Sequence, residues 1–208
     1  MYKYVVWDFD GTLYNTYPGI IKAFHRAVTE ENIKIAITEL GTQLRVSVGG
    51  TQKRLHQQYG LKDNFEKRYV TYRNLIEEGS IPPFPHAVEI CRAIWENGKK
   101  NYLYTHRDTT ALKHLEKSGI RECFADCISI EDDFPRKPDP TALLSLAKKH
   151  NFSPAECIMI GDRDIDILAG KNAGMAACFF DENKTTVPSA DYNIYSLAQL
   201  YDILEIRK

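Results

Sequence analysis

The spacing of hydrophobic and polar positions changes twice along the chain. Residues 3–7 are mostly apolar, as in a strand that is buried on both faces. Between residues 17 and 80, apolar positions recur every three or four residues, which predicts amphipathic helices over 17–33, 51–60 and 64–80. After residue 85, strand-like and helix-like segments alternate. The pattern therefore predicts a helical segment inserted into an alternating chain.

The alternating part begins after "IPPFP" at 81–85, because proline cannot continue a helix. The predicted elements are helix 86–97, strand 100–106, helix 109–118, strand 127–132, helix 139–150, strand 156–162, helix 164–175, strands 176–180 and 191–194, and helix 197–205. Such alternation implies a parallel sheet covered on both faces. We therefore predict an α/β fold with a Rossmann-like, doubly wound parallel sheet. Residues 1–14 and 81–208 form its core domain, and residues 15–80 form an inserted all-helical cap domain.

Composition narrows the function classes. The formal net charge of −1 gives no bulk attraction to nucleic acid or to an anionic membrane. The sequence has no apolar run near the ~18 residues that span a bilayer and no signal-peptide pattern at its start. The five cysteines form no CxxC pair, so we expect reduced thiols and a cytoplasmic protein. A zinc site at Cys123 and Cys127 is an alternative, but a second ligand pair is not evident.

Polar side chains follow four of the predicted strands. Each such residue, taken alone, is more often a turn, a helix cap or solvated surface than a functional group. In a parallel sheet, however, ligands bind outside the carboxyl ends of the strands. The residues that this rule brings to one edge are Asp8 and Asp10, then Thr105, His106 and Arg107, then Lys137, and finally Gly161, Asp162, Asp164 and Asp166.

The two aspartates after the first strand indicate a cation. Side chains two residues apart on an extended segment point the same way, roughly 6–7 Å apart. Asp8, Asp10 and Asp162 would repel one another unless a cation lay between them. Oxygen ligands without His or Cys suit Mg²⁺, which usually shares its coordination sphere with a phosphate. Lys137 and Thr105 are then candidates for binding that phosphate.

Four short segments resemble the motifs of the haloacid dehalogenase superfamily. They are "DFDGT" at 8–12, Thr105 after an apolar strand, Lys137 in "RKPDP", and "GDRDID" at 161–166. Their order and spacing are specific, and the resemblance spans nearly the whole chain. The helical insertion is similar to the small cap of the phosphoglycolate phosphatase and β-phosphoglucomutase branch. The resemblance implies a core domain like that of this superfamily.

The resemblance also implies catalytic roles. Asp8 would be the nucleophile that takes the phosphoryl group as an aspartyl phosphate. Asp10 would protonate the leaving oxygen and then activate the water. Thr105 and Lys137 would bind the phosphoryl oxygens and complete the catalytic group.

Binding roles follow in the same way. The metal ligands would be Asp8, the backbone carbonyl of Asp10, and Asp162, with Asp166 as an outer partner that orients a metal-bound water or Lys137. The candidates for substrate binding are Gly11, Thr105, His106 and Lys137.

The sequence departs from the family pattern at three positions. His106 stands where an Asn often follows the motif threonine, and it is interpreted equally well as a substrate-facing or a loop residue. Asn15 stands where an acid is common, and Gly161 stands where many sugar-phosphate members carry an acid. Asp164 is interpreted as a helix cap or a solvent-facing acid.

The leading hypothesis is a Mg²⁺-dependent phosphatase acting on a small phosphorylated metabolite, either phosphoglycolate-like or a sugar phosphate. The alternatives are a phosphosugar mutase of the β-phosphoglucomutase type and a non-catalytic binding protein on the same fold. True dehalogenation needs neither a cation nor an acid at position 10, so Asp10 and Asp162 argue against it.

Specificity is expected to come from the cap domain. The best candidate there is "VSVGGT" at 46–51, because paired glycines let a loop approach a ligand closely. The basic side chains nearby are interpreted as solvated surface; they are Arg45, Lys53, Arg54 and His56. The cap is expected to move as a lid.

Overall fold

A computed structural model describes residues 1–78 and 81–207 of the chain. It divides into two compact units. One unit comprises Met1–Tyr14 and Pro83–Lys208, and the other comprises Asn15–Pro82. We call them the α/β unit and the helical unit.

The α/β unit is built on one parallel sheet. Within the described residues, its strands are β1 (Tyr4–Trp7), β2 (Lys100–Tyr104), β3 (Phe124–Ile128), β4 (Cys157–Gly161), β5 (Ala176–Phe180) and β6 (Tyr192–Ile194). Their spatial order is β3-β2-β1-β4-β5-β6, and all neighbouring pairs are parallel. The chain starts at the centre, winds outward through β2 and β3, then returns to β4 and winds the other way. This topology confirms the predicted doubly wound parallel sheet.

Helices connect the strands and form the insertion. In the part of the chain that the structure describes, they are α1 (Tyr17–Thr29), α2 (Ile37–Val46), α3 (Val48–Tyr59), α4 (Phe65–Glu78), α5 (Ala87–Glu96), α6 (Thr110–Lys117), α7 (Thr141–Lys149), α8 (Asp164–Asn172) and α9 (Leu200–Ile203). The first four make up the helical unit, so the prediction of an all-helical insertion is confirmed.

The core of the α/β unit lies on both faces of its central strands. Val5, Val6 and Trp7 of β1 are completely buried. Gly170 lets α8 pack closely against β4, since a Cβ atom at this position would lie 2.8 Å from the Cβ of Met159. Close packing of α8 fixes the loop that joins β4 to this helix, and that loop carries several of the candidate site residues.

The helical unit has a separate aromatic core. Phe24 of α1 contacts Phe65 and Tyr69 of α4, with ring centroids 5.2 and 5.1 Å apart. Leu40 and Leu44 of α2 are fully buried in the same cluster. These contacts between distant parts of the sequence hold the insertion together as a unit of its own.

The structure corrects several sequence-based boundaries. The third strand covers Phe124–Ile128 rather than 127–132, and Ile130–Asp132 form a 3-10 turn. Ser129 and Asp132 satisfy the ends of that turn with their side chains, an option that propensity alone does not reveal. The first helix ends at Thr29 rather than at 33.

The segment 46–51 was wrongly predicted to be a loop. Ser47 caps α3 by accepting a hydrogen bond from Gly50 N at 3.0 Å, so both glycines lie in the first turn of that helix. Helix α2 was not predicted, although Leu40 and Leu44 stand at helical spacing and are both buried. The predicted stop of the 64–80 helix at Gly79 lies outside the described residues.

The structure also bears on the expectations about the cysteines and about a membrane span. All five cysteines are free thiols. Within residues 1–78 and 81–207, neither Cys123 nor Cys127 belongs to a group of three metal-ligating side chains. The same residues contain no helix that is both long and apolar enough to span a bilayer.

We expect Asn101 to be a major determinant of stability. Its side chain is completely buried; Oδ1 accepts from Trp7 Nε1 at 2.9 Å, and Nδ2 donates to the carbonyls of Cys91 and Cys123. Asn101→Ala leaves these buried groups without partners, so the free energy of unfolding should fall by about 2–4 kcal/mol. Urea denaturation measures the change.

The matched control is Asn97→Ala, which removes an exposed asparagine whose side chain donates to a helix carbonyl, that of Ala93. This variant should lose no more than about 1 kcal/mol. Equal losses in the two variants would contradict the structural importance of the Asn101 network.

Candidate active site

The candidate site lies where β1 and β4 end, at the point where the winding of the sheet reverses. Asp8 directly follows β1, and its backbone N–H donates to Ile160 O at 2.9 Å, which continues the strand ladder. The Asp8 side chain is buried. Because the backbone is held as in a strand, the carboxylate occupies a fixed position at the edge of the sheet.

Lys137 joins three elements of this edge. Its Nζ lies 2.6 Å from Asp8 Oδ1 and 2.7 Å from Asp166 Oδ1, and it donates to the carbonyl of Tyr104 at 2.8 Å. The Lys137 and Asp166 side chains are completely buried. A buried ammonium group is tolerated only when it is paired and hydrogen-bonded, and here all three of its donors have acceptors.

Burial and charge act in opposite directions on these groups. Desolvation raises the pKa of Asp8 to about 6, although the nearby Lys137 ammonium acts to lower it. For Lys137, burial favours the neutral amine, but the carboxylates of Asp166 and Asp8 outweigh burial and raise its pKa. The ammonium therefore stays charged, and it favours the ionised form of Asp8.

The carboxylates present a donor set for a hard cation. Oxygens of Asp8, Asp162 and Asp166 lie within 4.8 Å of one another. Asp8 Oδ2 is buried without a hydrogen-bond partner, and such an orphaned anionic oxygen fits a metal ligand. Asp166, in contrast, has both oxygens engaged, Oδ1 by Lys137 and Oδ2 by the backbone N–H of Arg163. Asp8 and Asp162 thus fit direct ligation, and Asp166 fits the outer role.

Gly161 makes the placement of Asp166 possible. A Cβ atom on residue 161 would lie 2.2 Å from the Cβ and 2.5 Å from the Cγ of Asp166. Such distances are far below any real contact, so the Asp166 carboxyl group occupies the space that a side chain at 161 would need. The departure from the family pattern noted at Gly161 is therefore coupled to Asp166.

Thr105 follows β2 and is oriented by its own main chain. Its backbone N–H donates to Ile128 O at 2.9 Å, and its Oγ1 accepts from the backbone N–H of Arg107 at 3.0 Å. The hydroxyl accepts this bond through one lone pair and keeps its proton for donation. The side chain can therefore donate a hydrogen bond at the sheet edge.

His106 contacts the main chain of Lys137. Its Nε2 accepts from Lys137 N at 3.1 Å. Burial, reinforced by the positive charge of Lys137, lowers the pKa of His106 to about 3. The ring is therefore neutral with its proton on Nδ1, and it braces the segment that carries Lys137. Substrate binding by His106 stays a prediction beside this contact.

The sequence reasoning missed a partner of Asp10. Arg107 Nη2 lies 2.5 Å from Asp10 Oδ1, and Arg107 Nε lies 3.1 and 3.3 Å from the two carboxylate oxygens. The sequence shows Arg107 two residues after Thr105, but an arginine in a loop is ordinarily solvated. Only the fold shows that its side chain is buried and turns toward β1.

The remaining candidates lie near this edge or on its turns. Gly11 has a φ of 82°, and its N–H donates to Tyr14 O at 2.9 Å in the turn after Asp10. Asp162 Oδ1 accepts from the Thr12 hydroxyl at 3.4 Å. Asp164 is exposed in the first turn of α8, in agreement with its interpretation as a solvent-facing acid.

Similarity to known proteins places this geometry in a family context. The model of the family described as "Hydrolase: haloacid dehalogenase-like hydrolase" matches residues 2–174. A phosphoglycolate phosphatase from Vibrio vulnificus is 28% identical over 97% of this chain and 96% of its own length. The pyrophosphatase PpaX from Halalkalibacterium halodurans is 30% identical over 98% of this chain and 97% of its own.

Solved structures agree with these relatives. The crystal structure of a hydrolase from Pseudomonas syringae superimposes with a TM-score of 0.79 at 22% identity and covers 98% of both chains. At this identity the likeness shows the fold alone. The family model and the sequence relatives confirm the resemblance carried by the four motifs and the expectation of an enzyme of the phosphatase type.

We predict that His106 makes stability depend on pH below neutrality. The folded-state pKa of about 3 lies below the ordinary value of about 6.5, so the unfolded chain binds the proton more readily. Stability is therefore unaffected above about pH 7 and is lost as the pH falls from about 6.5 toward 3. Between pH 7.5 and 5.5, wild type should lose about 1 kcal/mol more than His106→Gln, measured by urea unfolding at each pH.

Gln keeps an acceptor for Lys137 N but does not titrate. The control is His86→Gln at an exposed histidine, which should show the pH dependence of wild type. If His106→Gln retains the full wild-type pH dependence, the ring is not buried and neutral as described.

Proposed function

Because the chain belongs to the haloacid dehalogenase-like hydrolase family, we propose that it is a Mg²⁺-dependent phosphatase of small phosphorylated metabolites that works through an aspartyl phosphate. One observation supports this proposal above all. Lys137 is buried between Asp8 and Asp166, while the second oxygen of Asp8 has no hydrogen-bond partner. This arrangement leaves a fixed carboxylate beside a fixed positive charge at an edge that accepts ligands.

In the first step, the Asp8 carboxylate attacks the phosphorus atom of a phosphate monoester. A bond forms between the Asp8 oxygen and phosphorus, the bond to the leaving oxygen breaks, and Asp10 gives that oxygen a proton. The Thr105 hydroxyl donates to a phosphoryl oxygen, and the positive charge of the Lys137 ammonium beside Asp8 helps to stabilise the negative charge on the transferred group.

In the second step, water hydrolyses the aspartyl phosphate. Asp10, now a carboxylate, takes a proton from the water as its oxygen attacks phosphorus. The acyl phosphate bond breaks, inorganic phosphate leaves, and Asp8 is again a carboxylate. The same side chain therefore serves as acid and then as base, which returns the enzyme to its starting protonation state.

The residues that would hold Mg²⁺ are Asp8, the backbone carbonyl of Asp10, and Asp162, with Asp166 engaged by Lys137. The ion, when bound, neutralises charge on the phosphoryl oxygens and on the clustered carboxylates. The fit rests on the orphaned Asp8 Oδ2 and on a donor set made entirely of oxygen.

The substrate class is proposed from the relatives and from the division of the chain. The relatives suggest phosphoglycolate or pyrophosphate as first candidates. We propose that residues 1–14 and 81–208 act as the catalytic domain and that the helical cap, residues 15–80, selects the leaving group. Five free thiols support a reducing, cytoplasmic location.

A screen of phosphate release tests this assignment. The substrates are phosphoglycolate, pyrophosphate, nucleotides and sugar phosphates. Conversion of β-glucose 1-phosphate into the 6-phosphate without release of inorganic phosphate would instead support the mutase alternative.

We predict that activity requires a divalent cation. Excess EDTA should lower phosphate release by more than about 10²-fold, because the carboxylates of Asp8 and Asp162 lose the charge that balances them. Added Mg²⁺ should restore the rate, whereas Na⁺ at matched ionic strength should not. Full activity in EDTA would contradict the metal site.

The sharpest prediction separates Asp8 from Asp10. Asp8→Asn should remove covalent chemistry, so no phosphoenzyme should form. Asp10→Asn should lower phosphoryl transfer from an alkyl phosphate by about 10²–10⁴-fold. The loss with para-nitrophenyl phosphate should be smaller, because its leaving oxygen needs little protonation.

Rapid-mixing bursts and steady-state rates for both substrates measure these effects. Asp164→Asn, at an exposed acid in the first turn of α8, is the control and should behave as wild type. A phosphoenzyme in Asp8→Asn, or equal losses for the two substrates in Asp10→Asn, would show that the roles are wrongly assigned.

A further inference from the structure

Arg107 is a buried cation that the proposed mechanism does not use. Its side chain is only 1% exposed, and the guanidinium lies 5.3 Å from the ring centre of Phe9, which is itself completely buried. An arginine held this deeply has few rotamers open to it, since leaving its position would strand an unpaired charge.

The guanidinium meets Asp10 at two points. Nη2 lies 2.5 Å from Oδ1, and Nε lies 3.1 and 3.3 Å from Oδ1 and Oδ2. The Asp10 side chain is 23% exposed, so it remains open to a ligand while one side of it is held. Two-point contact fixes both the place and the plane of a carboxylate.

The main chain of Arg107 is fixed to the phosphate-binding segment. Its N–H donates to Thr105 Oγ1 at 3.0 Å, and its carbonyl accepts from Ile130 N at 3.1 Å. The same residue therefore orients the Thr105 hydroxyl through its backbone and the Asp10 carboxylate through its side chain. The position of the Asp10 carboxylate relative to the Thr105 hydroxyl is therefore fixed by one residue.

We infer that Arg107 is a positioning residue that aims the Asp10 carboxyl group at the leaving oxygen. The inference rests on the proposed function, in which Asp10 carries the proton. Arg107 itself is too deeply buried to reach substrate, so it acts through Asp10. Displacement of a reacting group by about 1 Å costs roughly 10²-fold in rate, and this sets the expected size of the effect.

The test compares an alkyl phosphate with para-nitrophenyl phosphate in the full chain with Mg²⁺. Arg107→Gln should lower phosphoryl transfer from the alkyl phosphate by about 10²-fold and the para-nitrophenolate burst by less than about tenfold. Arg107→Lys, which keeps the charge but not the two-point contact, should lie between wild type and Arg107→Gln. If Arg107 only stabilised the fold, its loss would lower the rate of phosphoryl transfer from both substrates by the same factor.

A double variant gives an independent readout. If Arg107 acts through Asp10, Asp10→Asn/Arg107→Gln should turn over the alkyl phosphate no more slowly than Asp10→Asn alone. The inference would be overturned if the rate loss of the double variant equalled the product of the two single losses. It would also be overturned if Arg107→Gln lowered the rates for both substrates equally. If Arg107→Gln does not fold, as judged by circular dichroism, the substrate ratio of Arg107→Lys decides by the same criterion.

Two controls distinguish a failure of the Arg107 role from a failure of the proposed phosphatase function. Arg121→Gln is the same substitution at a different arginine, whose Nη1 donates to Phe124 O at the start of β3. This variant should transfer phosphate from both substrates at wild-type rates. If wild type hydrolyses neither substrate, the proposed function fails. If wild type is active but Arg107→Gln keeps wild-type rates, only the positioning role fails.

Discussion

The burial of the Lys137 ammonium between two carboxylates is the interaction on which the site depends. It ties the ends of β1 and β2 and the first turn of α8 to one atom. Removing either carboxylate would leave a desolvated charge partly unpaired, which proteins tolerate poorly. The local charge still does not balance, because three carboxylates, those of Asp8, Asp162 and Asp166, lie beside two cations, the Lys137 ammonium and the Arg163 guanidinium, whose Nε is 3.9 Å from Asp166 Oδ2. This excess of negative charge gives a physical reason for a cation at the site, independent of any family comparison.

Much of this arrangement could be predicted from the sequence, because it follows from strand periodicity. Residues just past the ends of parallel strands must meet at one edge, so Asp8, Thr105 and Asp162 could be brought together without a structure. The boundaries that failed lie where side chains substitute for backbone hydrogen bonds. Ser129 and Asp132 stabilise a turn after β3, and Ser47 starts a helix across two glycines. Propensity does not include these local bonds.

The pairing of Arg107 with Asp10 was unpredictable for a different reason. Its two members are 97 positions apart, and each taken alone is an ordinary loop residue. Only the register of β1 beside β2 brings their segments together, with Trp7 opposite Leu103. The role of His106 was equally hidden, since the bond from Lys137 N to its ring depends on the path of a loop 31 residues away. Long-range side-chain geometry requires the assembled sheet.

The missing side chain at Gly161 constrains how this site can change. A residue with a Cβ there and an aspartate at 166 would compete for the same volume, so the two positions cannot vary independently. A lineage that moves an acidic group from 166 to 161 must therefore make both exchanges. Either single step leaves Lys137 with one carboxylate fewer or forces two groups to overlap. Gly161 is thus required as long as residue 166 is an aspartate. Redesign of this site must therefore change positions 161 and 166 together.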